Sequence, residues 1–91
     1  MKEYISIKAL ADFHQLDEKL LLEVATYEIV PVKRTRKEVL LNADDLEEFE
    51  RALRLYHELE VNLQGVEIIC RMRNQMQEMQ EEIERLNQLL K

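Results

Sequence analysis

Few side chains here are equipped for covalent or metal chemistry: two histidines (His14, His57), one cysteine (Cys70) and one serine (Ser6). A nucleophile needs a base within hydrogen-bond reach, and a metal needs several ligands at close, regular spacing. No two of these residues show such spacing. With one glycine (Gly65) and one proline (Pro31), the chain builds neither a glycine-rich phosphate loop nor a nucleophile elbow. His14 reads as a helix-end residue, His57 as a partly buried helix residue, and Cys70 falls on a long C-terminal helix. The carboxylates lie on helix faces open to water, where nothing encloses them and shifts their pKa values. No enzyme chemistry, cofactor or metal is expected, so the function to look for is binding.

The elements that carry such binding follow from composition and pattern. Ninety-one residues make one small domain, or a small domain with an appended helix, and a core of that size gains from a second copy or partner. Leu, Glu, Gln, Arg and Lys dominate, all good helix formers. No apolar run is long enough to span a membrane, Met1-Lys2-Glu3 leads straight into patterned sequence, and a single cysteine forms no internal disulfide. A cytoplasmic protein is expected. The net charge of −6 points away from nucleic acid and toward a basic partner. That charge is uneven: residues 1–41 hold seven basic and seven acidic side chains, residues 42–91 six and twelve.

Along the first half, Ser6 is placed to N-cap a short helix with Ile7, Leu10 and Ala11 on one face and Phe13 near its end. Asp17 is placed to cap a second, Glu18 to Thr26, which turns Leu20, Leu21 and Val24 to one side. Two short helices around a tight turn have helix-turn-helix spacing. Ile29-Val30-Pro31-Val32 and Glu38-Val39-Leu40-Leu41 then read as a two-stranded hairpin, or wing, with Lys33-Arg34-Thr35-Arg36-Lys37 at its tip.

The second half reads as helix almost throughout. Asn42 is placed to cap it, with Asp45 completing a box-like pattern, and Leu46, Phe49, Leu53 and Tyr56 follow at helical spacing, facing the head. A turn is expected around Asn62-Leu63-Gln64, bracketed by Val61, Gly65 and Val66. Beyond it, Ile69, Met72, Met76, Met79, Ile83, Leu86 and Leu90 are spaced 3, 4, 3, 4, 3, 4. This a/d seam predicts a coiled-coil helix on the order of 40 Å long, packing on a second chain to form a homodimer. The expected organisation is a head over residues 1–65 and a coiled-coil helix over 66–91.

This order resembles the MerR-like group: helix-turn-helix, wing, helix pair, then a coiled-coil helix that forms a dimer. The recognition segment of that group runs like S-P-R-T-I-R-Y-Y-E-x-x-G-L-L-P. Laid onto it, this chain runs from Asp17 to Pro31, keeping the helical frame and the closing Pro31. The Arg-Tyr-Tyr that such regulators use on DNA is replaced by Leu22-Glu23-Val24. Asp17, Glu18, Glu23 and Glu28 repel phosphate, and Lys19 is the one basic residue on the helix, which turns the expectation away from DNA. The fold implied is mostly α: a MerR-like winged helix-turn-helix head, a short β-hairpin wing, a helix pair and a long C-terminal coiled-coil helix.

A narrower resemblance covers Arg54-Leu55-Tyr56-His57-Glu58-Leu59-Glu60-Val61-Asn62-Leu63-Gln64-Gly65-Val66, continued by Ile68, Ile69 and Met72. It is similar to the signature of the bacterial chaperone-modulator family, CbpM type: R-L-x-x-E-L-x-I/V-N-L-x-G-I/V. That resemblance implies binding to the J-domain of a DnaJ-type co-chaperone and restraint of its activity with Hsp70. J-domains present a basic second helix, which an acidic surface attracts. Glu18, Leu22 and Glu23 on the second helix, and Asp44, Asp45 and Glu48 at the start of the third, are the candidate partner-binding residues, with Leu22 as an apolar anchor. Leu55, Leu59, Leu63 and Val66 are expected in the core, and Gly65 in a tight interhelical turn. A DNA-binding regulator working through the wing is the alternative.

Overall fold

The computed structural model describes residues 3–91. In chain order it has β1 (Tyr4–Ser6), α1 (Ile7–His14), α2 (Glu18–Thr26), β2 (Val32–Arg34), β3 (Val39–Asn42), one 3-10 turn (Ala43–Asp45), α3 (Leu46–His57) and α4 (Leu63–Leu89). The two short head helices start where the capping residues place them. The Ser6 hydroxyl accepts from the Ala9 N–H at 2.9 Å, and the Asp17 carboxylate accepts from the Lys19 N–H at 3.0 Å. Gln15 closes α1 in the left-handed region (φ 57°), where the Leu16 N–H reaches the Ala11 carbonyl and turns the chain directly into α2.

The wing has a third strand. β3 lies between β1 and β2 and is antiparallel to both, pairing Ile5 with Leu41 and Leu41 with Val32. This corrects the two-stranded expectation: three residues, Tyr4–Ser6, are too short a run for alternation to stand out, and the pairing comes from the far end of the head. The alternation sends Ile5, Val32 and Leu41 toward the core and leaves Tyr4 and Lys33 outside. There the Lys33 ammonium sits 5.1 Å from the Tyr4 ring centroid, across β3. Ile29 and Val30 precede the strand rather than forming it; Val30 is buried in the core. At the tip, Thr35 holds Glu38 through backbone and hydroxyl bonds, which leaves Arg36 and Lys37 at the apex.

The core is formed by Ile7, Leu10, Ala11, Leu21, Val24, Ala25, Val30, Leu41, Phe49, Ala52, Leu53, Val66 and Cys70, so α1, α2, the sheet, α3 and the first turns of α4 share one interior. Asn42 caps the 3-10 turn, accepting from the Asp44 N–H, while Asp45 stands at the N-cap of α3 with no side-chain bond. The expected capping box is therefore replaced by a turn that intervenes before α3. Phe49, Ala52 and Leu53 form its buried stripe, flanked by half-buried Leu46 and Tyr56.

Between α3 and α4 the reversal occupies 58–62, with Glu60 at φ 56°. Gly65 is not a turn residue. It is the third residue of α4, its N–H donates to the Asn62 side chain at 2.8 Å, and its φ is negative. Its small size is needed because a Cβ there would meet Val61 Cγ1 at 2.9 Å. Leu59, expected in the core, is exposed, whereas Val66 is buried and Leu55 and Leu63 are half-buried. From Arg71 onward every residue of α4 is exposed.

Candidate functional site

The six candidate partner-binding residues fall into two patches. The first is on α2. Glu18 and Glu23 are exposed, and so is Lys19, the one cation of that helix. Leu22 is half-buried and packs against the core, so it is a partly covered shoulder rather than a free anchor. α2 is rotated enough that Leu21, Val24 and Ala25 take the buried stripe while Leu20 and Leu22 flank it.

Glu23 has a role that pattern alone did not show: its carboxylate accepts from the Tyr56 hydroxyl at 2.8 Å, linking α2 to the last turn of α3. That bond is the main reason the Tyr56 phenol is raised above the ordinary tyrosine range.

The second patch surrounds the start of α3. Asp44 is exposed, Asp45 and Glu48 are half-buried, and Glu48 accepts from the Asn74 amide at 3.0 Å. Glu47 pairs with Arg51 at 3.6 Å. Because Glu23 meets α3 at Tyr56 and the acidic turn lies at its other end, the patches are separated by about 15 Å of helix at 1.5 Å per residue.

The third surface is the seam of α4. Ile69, Met72, Met76, Met79, Ile83, Leu86 and Leu90 are all exposed, rising to 85 % at Leu90. At its head-proximal end the seam joins Leu55 and Arg51 of α3 in an apolar groove of about 560 Å³, also lined by Arg73 and Met76. Only Val66 and Cys70 of α4 are buried in the head. Burial pushes the Cys70 thiol up and Glu48 adds to this, while Arg51 and Arg73 pull against it; such a thiol is a packed apolar group and not a nucleophile.

The wing carries four exposed cations, Lys33 and Arg34 on β2 and Arg36 and Lys37 at its tip. Its charge is opposite to that of α2.

Of the histidines, His14 is half-buried at the end of α1 and its Nε2 lies 2.7 Å from Glu50 on α3. His57 is exposed, which corrects the partly buried expectation; it sits in the last turn of α3, past the buried stripe. Neither the His14–Glu50 nor the Tyr56–Glu23 pair was legible beforehand, since each joins residues more than thirty positions apart. Among the described residues no group of three or more His, Cys, Asp or Glu side chains is placed to hold a metal ion, and no helix is long and apolar enough to cross a membrane.

Two helices around a tight turn, a three-stranded wing and a long following helix define a winged helix-turn-helix protein. The family model described as MerR HTH family regulatory protein matches residues 5–88, nearly the whole chain. The chain therefore belongs to that MerR family of helix-turn-helix regulatory proteins. No curated protein and no solved structure matches it.

Proposed function

We propose that this protein is a non-enzymatic chaperone modulator, which binds the J-domain of a DnaJ-type co-chaperone and lowers its activity with Hsp70. The observation that carries this reading is the sign of the charge on α2. Where a DNA reader presents cations, this helix exposes Glu18 and Glu23 with only Lys19 among them. Such a surface repels phosphate and attracts a basic protein helix. The choice of a J-domain rests on the likeness of residues 54–72 to the chaperone-modulator signature. Inhibition is competitive: the bound modulator covers the basic J-domain face that Hsp70 requires. The exposed α4 seam pairs two copies into a homodimer.

The test is a calorimetric titration of the full chain into an isolated J-domain of a DnaJ-type protein at low and moderate salt. Saturable binding that weakens with salt is expected; no heat at either salt removes this reading.

One observation favours a second reading, a DNA-binding regulator. The wing carries four exposed cations, Lys33, Arg34, Arg36 and Lys37. Salt-sensitive binding to duplex DNA, lost on changing Arg34 and Arg36 to Gln, is its signature.

A further inference from the structure

Three of the chain's four methionines, Met72, Met76 and Met79, occupy consecutive positions of the α4 seam. Their side chains are 56, 67 and 63 % exposed in the single chain, whereas Cys70, the other sulfur of α4, is buried in the head core. An open thioether is a sulfur that peroxide reaches, and a packed thiol is not. Apolar contact alone does not call for methionine here. Leucine and isoleucine specify such a seam more sharply, and they are used at its two ends, Ile69 on one side and Ile83, Leu86 and Leu90 on the other.

Charge along α4 points to a second copy of this chain as the cover for these sulfurs. Residues 71–77 carry Arg71 and Arg73 and no acid, while residues 78–84 carry Glu78, Glu81, Glu82 and Glu84 and no base. A second copy laid antiparallel, centred between Met76 and Met79, sets Arg71 and Arg73 opposite Glu84 and Glu82 of the other copy. A parallel copy would set the four glutamates against their own equivalents. Ile68 and Leu89 are the large exposed apolar residues of α4 off the seam. They share one flank and lie at opposite ends, so the same antiparallel pairing brings them together. Ile83 and Leu86 of the second copy then enter the groove of Leu55, Ile69, Met72 and Met76. At the centre, Met76 of each copy meets Met79 of the other.

We propose that Met76 and Met79, with Met72 beside them, are an oxidation site through which hydrogen peroxide separates paired copies. The site works only if α4 pairs as proposed above. Pairing also guards it, because the sulfurs are open in the single chain and covered in the pair. Peroxide transfers one oxygen to the thioether: an S–O bond forms, the O–O bond breaks, the sulfur gives up two electrons, and water leaves. The product is a polar sulfoxide in place of a flexible apolar group. Ile69, Ile83 and Leu86 in the adjoining layers hold no donor for its oxygen, so pairing again would bury unsatisfied polar groups at the centre of the interface. The core of the head ends at Cys70 and contains none of the three methionines. Oxidised chains therefore stay single with the head intact, until a methionine sulfoxide reductase reverses the change.

The experiment treats the full chain with hydrogen peroxide, maps sulfoxides by peptide mass and follows sedimentation. The parent is expected to be dimeric before treatment, and its dimer dissociation constant to rise about tenfold or more once Met76 and Met79 are oxidised. Methionine sulfoxide reductases are expected to restore the dimer. The variant Met72→Leu/Met76→Leu/Met79→Leu keeps the seam apolar and is expected to stay dimeric in the same peroxide. Sulfoxide formation in the parent is expected to slow as protein concentration rises, since pairing covers the sulfurs. A dimer that persists with both residues oxidised, or a leucine variant that dissociates as the parent does, overturns the proposal and leaves the pairing of α4 standing. A parent already monomeric before peroxide overturns both.

Discussion

The carboxylate of Glu23 accepts a hydrogen bond from the hydroxyl of Tyr56 at 2.8 Å, tying α2 to the last turn of α3. The bond orients one of the two exposed carboxylates of α2 and fixes the last full turn of that helix against α3. It also makes the α2 surface depend on a residue that lies within the chaperone-modulator-like segment 54–66.

This pair has a measurable titration. Ionised Tyr56 would set a phenolate against the Glu23 carboxylate, so its pKa is raised, first by the lost hydrogen bond and then by desolvation and charge. A raised pKa in the folded state means the bond stabilises fully at neutral pH, and its contribution is lost as pH rises through the raised value, above the ordinary tyrosine range. Ultraviolet difference titration, with Tyr56→Phe as the reference, is expected to show Tyr56 ionising late and shifting back toward the ordinary range in Glu23→Gln. Identical alkaline titrations in the parent and Glu23→Gln would show the pair is not formed in solution.

Gly65 is small for a packing reason. An added Cβ meets Val61 Cγ1 at 2.9 Å and Asn62 Oδ1 at 3.3 Å, and that oxygen is the cap acceptor of α4. Ala is the better helix former by about 1 kcal/mol. Overpacking against a β-branched side chain costs about 1–3 kcal/mol. Gly65→Ala is therefore expected to lower stability by about 1 kcal/mol in denaturant unfolding, and Val61→Ala in the same chain is expected to relieve the clash. A more stable Gly65→Ala would show that propensity outweighs the contact.

Among the described residues three non-glycine residues hold positive φ: Gln15 (57°), Glu28 (50°) and Glu60 (56°). Each ends or follows a helix, and the left-handed region costs an L-residue about 1 kcal/mol or more. Part of that gain is offset by the freedom glycine adds to the unfolded chain. Replacing each in turn by Gly is expected to raise stability by about 0.5 kcal/mol, measured by thermal unfolding. A fall at any of the three would mean that its side chain contributes more than its backbone costs.

The helical head was legible because its signals are local. Ser6 and Asp17 cap the helices they precede, and Leu10, Leu21, Phe49 and Leu53 fall on stripes set by helical period. What escaped was non-local or short. β1 is three residues, paired with a strand 36 positions away, and no periodicity shows in so brief a run. Leu59 looks like a core leucine in the pattern 55, 59, 63, but α3 ends at His57, so the period breaks before it and leaves the side chain in water. Gly65 drew a turn reading because glycine usually marks φ freedom, whereas here its missing Cβ is what matters. On α2 the charges were readable, but the rotation that half-covers Leu22 was set by packing across the core.

Leu22→Arg would probe the proposed α2 surface, but the half-burial of Leu22 makes it a mixed probe. A fully buried leucine contributes about 1.5–3 kcal/mol, so removing this one costs on the order of 1 kcal/mol of stability in addition to any effect on binding. Glu18, exposed in the first turn, is the cleaner probe. Glu18→Lys is expected to weaken J-domain binding and flatten its salt dependence while thermal unfolding changes little. If both variants bind as the parent does, the α2 surface is not the site.

The seam of α4 makes the last prediction. Twenty-one consecutive residues, Arg71 to Lys91, are exposed, and a helix with so little of its length packed on the head is marginal alone in water. Intrahelical pairs such as Glu67–Arg71 and Glu82–Arg85 add only tenths of a kcal/mol each. Met79, 63 % exposed in the single chain, sits mid-seam. A glutamate there would be buried without a partner across a paired interface, at a cost of several kcal/mol for the two copies together. Met79→Glu is expected to sediment as a monomer and to lose helicity in its C-terminal third, whereas the parent sediments as a dimer. Since the head core ends at Cys70, the head should keep its fold in the variant, with the Cys70 thiol still shielded from alkylating reagents. A variant that remains dimeric places the interface elsewhere on the molecule.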